Sequence, residues 1–212
     1  HRKSWSRIRL GFDKYEGWID NKQFQFIEEL EYKALHKSEP LMAMDLVDFI
    51  TTQKQHLHPI LLGSTLNGLS YLEHTFEGTA RIGQNDKSKL VETALLYLNT
   101  PYLWGGKTPF GIDCSGFVQM VYKLNGFSIL RDASQQALLG STLSFIDESE
   151  PGDLAFFDNE EGAITHVGLL LENNYILHAH GKVRIDRIDQ TGIYNIDTQQ
   201  HSHKLRIIKK IT

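Results

Sequence analysis

The sequence predicts an α+β chain in two parts, a small β-rich module over residues 1–84 and a second domain over residues 85–212. Three observations carry this. Short apolar runs separated by Gly63 and Gly68 fill the first part. Helical spacing of apolar residues follows Ser88 and recurs after Cys114. From Pro151 onward the runs DLAFF, ITHVGLLL, YILHAH, VRID and KLRIIKKI read as strands. Helices first and an antiparallel sheet afterwards is the α+β order.

In chain order, WSRIRL alternates through Trp5, Ile8 and Leu10, and GFDKYEGWID combines a turn with aromatics. The opening HRKSWSRIRL reads as the middle of a strand, so a leader and earlier strands are expected upstream. QFQFIEELEYKAL fits strand or helix equally, and residues 41–52 read as a short helix or buried run. HPILLGSTL and SYLEHTFEG resume short strands, and closure into a small barrel would hide their edges. A helix then runs through KLVETALLYLN, capped by Ser88 or Asp86, with Leu90, Ala94, Leu95 and Leu98 on one face. Thr100-Pro101 stops it. SQQALLG, after Arg131-Asp132, is a further helix.

Composition excludes several classes. A formal charge of −4, with no block of Lys or Arg, argues against nucleic-acid binding. No apolar stretch is long enough to cross a bilayer as a helix. One cysteine forms no internal disulfide, which leaves the redox compartment open.

That cysteine is where chemistry concentrates. Pro109, Gly111 and Asp113 are turn and cap residues, and Phe117, Val118, Val121 and Leu124 follow at helical spacing. Cys114 is thus placed in the first turn of a helix capped by Asp113. Free N–H groups and the helix dipole are expected to favour its thiolate. A thiol nucleophile needs a base, and the base an orienting partner. His166 and His178 lie in two runs joined by Glu172-Asn173-Asn174. A three-residue hairpin loop pairs Leu171 with Tyr175 and Gly168 with His178, which puts both imidazoles on one face. Asn174 suits the left-handed position of such a loop. A two-residue loop would put the rings on opposite faces. Gly168 and Gly116 are expected to let helix and sheet approach closely.

The segments YLWGGKTPFGIDCSGFVQMVY, PGDLAFF, ITHVGLLL and ILHAHGKVR, in that order, resemble the NlpC family of papain-like cysteine peptidases over residues 86–210. The resemblance implies a papain-like catalytic domain. It assigns Cys114 as nucleophile, His166 as proton shuttle and His178 as the residue that orients the imidazole, with Tyr102 beside the oxyanion. It also implies cleavage of peptidoglycan stem peptides between γ-D-glutamate and a diamino acid. WSRIRLGFDKYEGWID resembles the closing half of a bacterial SH3-like module, so the first part is expected to be a partial small SH3-like β-barrel. In relatives that join the two, the module narrows the substrate groove, and a free N-terminal L-alanine precedes the γ-D-glutamate. The resemblance places Asp132 against that ammonium and Tyr15 as its helper. Asp132 also reads as a helix N-cap, and Tyr15 as a core aromatic. Arg131 reads as a surface arginine or as a candidate for a substrate carboxylate, Ser115 as a binding or capping hydroxyl, and Asp113 as both helix cap and groove lining.

Rival readings remain. His56-Leu-His58, His178-Ala-His180 and His201-Ser-His203 are H-x-H pairs, yet no acid or cysteine completes a zinc pattern, so neither metal nor cofactor is expected. The same triad would also serve an amidase or acyltransferase, and the fold a non-catalytic cell-wall-peptide binder. Small recycled peptides would suit the cytoplasm, and a removed leader the periplasm. Oligomeric state is left open.

Overall fold

A computed structural model describes residues 3–211, so His1 and Arg2 of the strand-like opening lie outside the described residues. The chain divides into two compact units, His1–Gly83 and Gln84–Thr212.

In the first unit, β1 (Trp5–Arg9) and β2 (Glu16–Asp20) form an antiparallel hairpin. Tyr15 lies at its turn with an exposed side chain, not in a core. The ambiguous segment resolves as α1 (Glu29–Lys37), opened by a capping box between Glu28 and Glu31. Residues 41–52 are not a helix. They form β3 (Met42–Ala43) and β4 (Val47–Thr51), because VDFIT alternates and pairs with β5 (Leu57–Leu61). Strand β6 (Thr75–Phe76) adds to the other edge of β4, and β7 (Ala80–Arg81) pairs with β3. Among the described residues these ladders form three separate small sheets, and no pairing joins them into a closed ring.

The second unit opens with α2 (Lys89–Leu95). Its last turn tightens to i→i+3 bonds, Tyr97 N–H to Ala94 and Leu98 N–H to Leu95. The tighter winding brings Tyr97 into the core beside Leu90 and Ala94, while Leu95 and Leu98 stay exposed, contrary to the face expected from the sequence. A short hairpin of β8 (Lys107–Thr108) and β9 (Gly111–Ile112) leads into α3 (Cys114–Leu124), and α4 (Ala133–Gln136) follows. The strands β11 (Leu154–Asp158), β12 (Ile164–Leu170), β13 (Tyr175–His180), β14 (Lys182–Ile188), β15 (Gly192–Asn195) and β16 (Gln200–Lys210) pair antiparallel in that order. Because β16 also pairs with β11, the six close into a barrel, to which β10 (Ser141–Leu143) attaches at β16. Closure gives each of these strands a neighbour on both sides along at least part of its length.

Strand parity divides the barrel's two faces. Leu170, Ile176, Ile188, Ile193 and Ile208 belong to one buried cluster, and His166 and Gly168 share parity with Leu170, as His178 does with Ile176. The apolar face of α3 is fully buried at Phe117, Val118 and Val121, and the helix packs on β12, β13 and α2. Among the described residues no helix is long and apolar enough to cross a membrane.

Candidate active site

Asp113 is the N-cap of α3, with extended backbone and a carboxylate that accepts from the Gly116 N–H at 2.7 Å. It also accepts from the Gly105 N–H at 2.8 Å, tying the WGG loop to the helix start. Cys114 is therefore the first residue of the helix, as the cap pattern predicts, and it is buried.

What meets the sulfur is decided by where a ladder ends. β12 pairs with β13 only from Gly168 to Leu170, opposite His178 to Ile176. Upstream of Gly168, the edge of β12 has no β13 partner. Cys114 occupies it: Sγ accepts the Val167 N–H and lies 3.9 Å from the Thr165 carbonyl oxygen. The sulfur thus sits against the backbone on both sides of His166.

The loop that sets the histidine register is the three-residue one. Leu171 N–H bonds to Tyr175, and Asn174 takes φ +58° with Asn173 at +56°. His166 and His178 share a face, with His166 Nε2 and His178 Nδ1 2.8 Å apart. Both rings are buried. The two glycines act differently from expectation. A Cβ on Gly168 would meet Ile176 and His178, on the adjacent strand, and one on Gly116 would meet the Gly106 carbonyl at 2.5 Å. Each permits a close approach, but their nearest neighbours are strand and loop, not helix against sheet.

Burial, then the Asp113 carboxylate, push the Cys114 thiol up, and N–H bonds from Val167, Ser115 and its own amide offset this only in part. The helix N-terminus does not make Cys114 a resting thiolate, contrary to the sequence expectation. Burial, with the charges of His178, His203 and His180, holds His166 well below the usual histidine range. Burial lowers His178 as well, against the pull of Asp186. Both shifts favour the uncharged forms, a neutral thiol and a neutral imidazole. Burial, Cys114 and Asp113 raise the Tyr102 phenol, so it remains a donor near the sulfur.

Arg131 departs from its predicted role. It is buried and forked onto Asp113, Nη2 to Oδ2 at 2.6 Å and Nη1 to Oδ1 at 3.0 Å, with Nη1 also donating to Ser115 Oγ at 2.9 Å. A guanidinium so engaged holds the cap together and does not present its fork to a ligand's carboxylate. Asp113 and Ser115 are buried members of the same cluster. Asp132 is half-buried and forms a reciprocal capping box with Gln135 at the start of α4.

Sequence reasoning missed Asp186, Arg184 and the placement of His203. His178 Nε2 lies 3.0 Å from Asp186 Oδ2, and both residues are fully buried. Gly181, at φ +70°, turns β13 into β14 and sets His178 opposite Arg184, so Asp186, two residues on, shares their face. That parity was readable in HAHGKVRID. His203 stacks on His166 with centroids 4.1 Å apart, and ring nitrogens of His166, His178 and His203 lie within 4.8 Å of one another. The H-x-H partners thus converge by crossing strands, and His166 and His178 turn their facing nitrogens on each other.

Residues 99–202 match the NlpC/P60 family. The chain is 47% identical over 92 residues to a gamma-D-glutamyl-L-lysine dipeptidyl-peptidase of Bacillus subtilis (strain 168), covering 42% of this chain and 31% of that protein. It is 40% identical over 121 residues to dipeptidyl-peptidase 6 of Lysinibacillus sphaericus, 56% of this chain and 41% of that one. A Bacillus cereus (strain ATCC 10987 / NRS 248) gamma-D-glutamyl-L-lysine dipeptidyl-peptidase is 28% identical over 191 residues, 78% of this chain and 56% of the relative. The chain thus spans from about a third to just over half of these relatives' lengths. The solved structure of an NlpC/P60 family protein from Bacillus cereus ATCC 10987 shares its fold with TM-score 0.78, at 20% identity, over all of this chain and 77% of that one.

Proposed function

From the premise that the chain carries an NlpC/P60 domain, we propose that it is a cysteine peptidase that hydrolyses the γ-D-glutamyl–diamino acid bond of peptidoglycan stem peptides. The observation that carries the reading is the Cys114 sulfur against the backbone of Thr165 and Val167, flanking His166, whose ring is bonded to His178 at 2.8 Å. The names of the relatives point to the same bond and make L-lysine the first diamino acid to try.

In this reading Cys114 Sγ attacks the γ-carbonyl carbon while its proton passes to His166. Transfer accompanies attack, because a buried thiol and a depressed imidazole disfavour a resting ion pair. The Cys114 N–H and the Tyr102 phenol stabilise the oxyanion. Collapse breaks the C–N bond, and His166 returns its proton to the leaving amine. Water then repeats the sequence on the thioester, giving a free carboxylate and the thiol. Asp132 receives the ammonium of an N-terminal L-alanine, a role its capping box leaves room for, since a carboxylate accepts more than one hydrogen bond. Tyr15 is assigned to the same recognition, and the first unit to an SH3-like module, on the resemblance of the opening segment alone.

The test is incubation with L-Ala-γ-D-Glu-L-Lys and its N-acetylated form, with products read by mass spectrometry. Release of free lysine, lost in Cys114→Ala and preferential for the free amine, is expected. Asp132→Ala should remove that preference. Cleavage that survives Cys114→Ala sinks the proposal.

A further inference from the structure

The buried chain of hydrogen bonds does not stop at the two histidines. Asp186 sits at its inner end, where three N–H groups that can only donate meet its carboxylate. Arg184 Nε reaches Oδ2 at 2.6 Å, Arg184 Nη2 reaches Oδ1 at 2.9 Å, and the Ile196 N–H reaches Oδ1 at 3.1 Å. His178 Nε2, 3.0 Å from Oδ2, completes the set. Arg184 is itself held by Asp197 at 2.8 Å and by Asn195 at 3.2 Å.

We infer that Asp186 is a positioning residue that fixes the proton arrangement of both histidines, so that His166 presents a bare Nδ1 for the thiol proton. The argument is one of donors and acceptors. An ionised carboxylate only accepts, so the His178 nitrogen facing it carries hydrogen. A neutral imidazole has one N–H, which leaves His178 Nδ1 bare. That bare nitrogen faces His166 Nε2 at 2.8 Å and accepts from it, so His166 is the Nε2–H tautomer. Its Nδ1 is then the free lone pair. Reversing any link would set two hydrogens or two lone pairs face to face in a buried site. Consistent with this, burial would raise the Asp186 carboxyl, but bonds from His178, Arg184 and Ile196 hold it well below the usual carboxylate range. The inference rests on the reading of His166 as base.

Asp186→Asn tests it. The carbonyl of Asn stays with Arg184 Nη2 and the Ile196 N–H, because the opposite flip would set its amide against both of these donors where this one opposes only Arg184 Nε, and the amide then donates to His178 Nε2. That inverts both tautomers and leaves His166 with a hydrogen on Nδ1. A kcat loss of about 10³–10⁴-fold is expected, with KM within about threefold. Long-range ¹H–¹⁵N spectra of the histidine rings give the readout that a merely structural role would not move. Wild-type His166 and His178 should both carry hydrogen on Nε2, and His178 should switch to Nδ1–H in the variant. An Nδ1–H signal from either ring in the wild type overturns the inference, and this measurement stands even if the variant does not fold. Wild-type turnover by folded Asp186→Asn overturns it too, and leaves the Cys114–His166 reading intact. Turnover that survives Cys114→Ala defeats that reading instead, with the ring tautomers still measurable.

Discussion

Gly168 stands directly opposite His178 across the β12–β13 ladder, and a Cβ placed there would lie 2.9 Å from His178 Cβ and 2.6 Å from Ile176 Cδ1. Ile176 can give at its flexible end. His178 cannot, because its ring is held between His166 and Asp186. Gly168→Ala should therefore cost about 1–3 kcal/mol of stability and reduce turnover by more than tenfold. Urea unfolding alongside steady-state kinetics checks both. Turnover unchanged at lowered stability would mean that the ring absorbs the methyl without losing its bonds.

Arg131 separates a binding role from a structural one. Its guanidinium and the Asp113 carboxylate are both buried, so Arg131→Ala leaves the capping carboxylate without its counter-charge. Loss of about 3–5 kcal/mol is expected. In a double-mutant cycle with Asp113→Asn, the double variant should lose less than the sum of the single losses, since neither charge is then stranded. If Arg131 served a ligand carboxylate instead, its removal would raise KM and spare the unfolding midpoint.

Thiol reactivity carries its own sign. The Cys114 thiol is pushed above the usual cysteine range, first by burial and then by Asp113, so the thiolate fraction grows with pH through neutrality. Alkylation of the free protein by iodoacetamide should rise about tenfold per pH unit from pH 6 to 8, because only the thiolate reacts. A rate already level at pH 6 would reveal a resting thiolate–imidazolium pair and overturn the neutral resting state.

The site was legible in the sequence wherever one local rule decided it. The Asp113 cap and the apolar spacing after it place Cys114 at a helix start, and loop length with strand parity brings His166 and His178 together. Arg131 was not legible, because nothing local tells a buried arginine from an exposed one and its partner lies 18 residues away. β15 was missed for a similar reason: four residues, GIYN, hold a barrel closed only through their pairing with β14 and β16. Residues 41–52 misled because an apolar run of this length fits a short helix as well as a strand, and Leu46, Val47 and Phe49 are exposed despite it. Their strand character comes from pairing with β5 and β7. His203 illustrates the same limit. Its place in an H-x-H pair is readable, whereas its stack on His166 follows from barrel closure.

The clustered histidines also fix how stability should respond to acid. His166, His178 and His203 are all depressed by burial, His203 to about 4, so the folded protein resists protons that the unfolded chain takes up near pH 6.5. Above that pH neither state binds them and the contribution is fully present. As pH falls from about 6.5 the unfolded state gains protons first, and stability declines until the folded rings titrate. The exposed carboxylates are held low by their own partners and enter only below about pH 5. Between pH 6.5 and 5 the slope therefore belongs to the histidines. Urea midpoints across that window should fall with pH in the native chain, and less steeply in His203→Phe, which keeps a ring against His166 but removes one titrating group. A profile flat through the window would mean that these rings are protonated as readily in the folded protein as in the unfolded chain, which is incompatible with their burial.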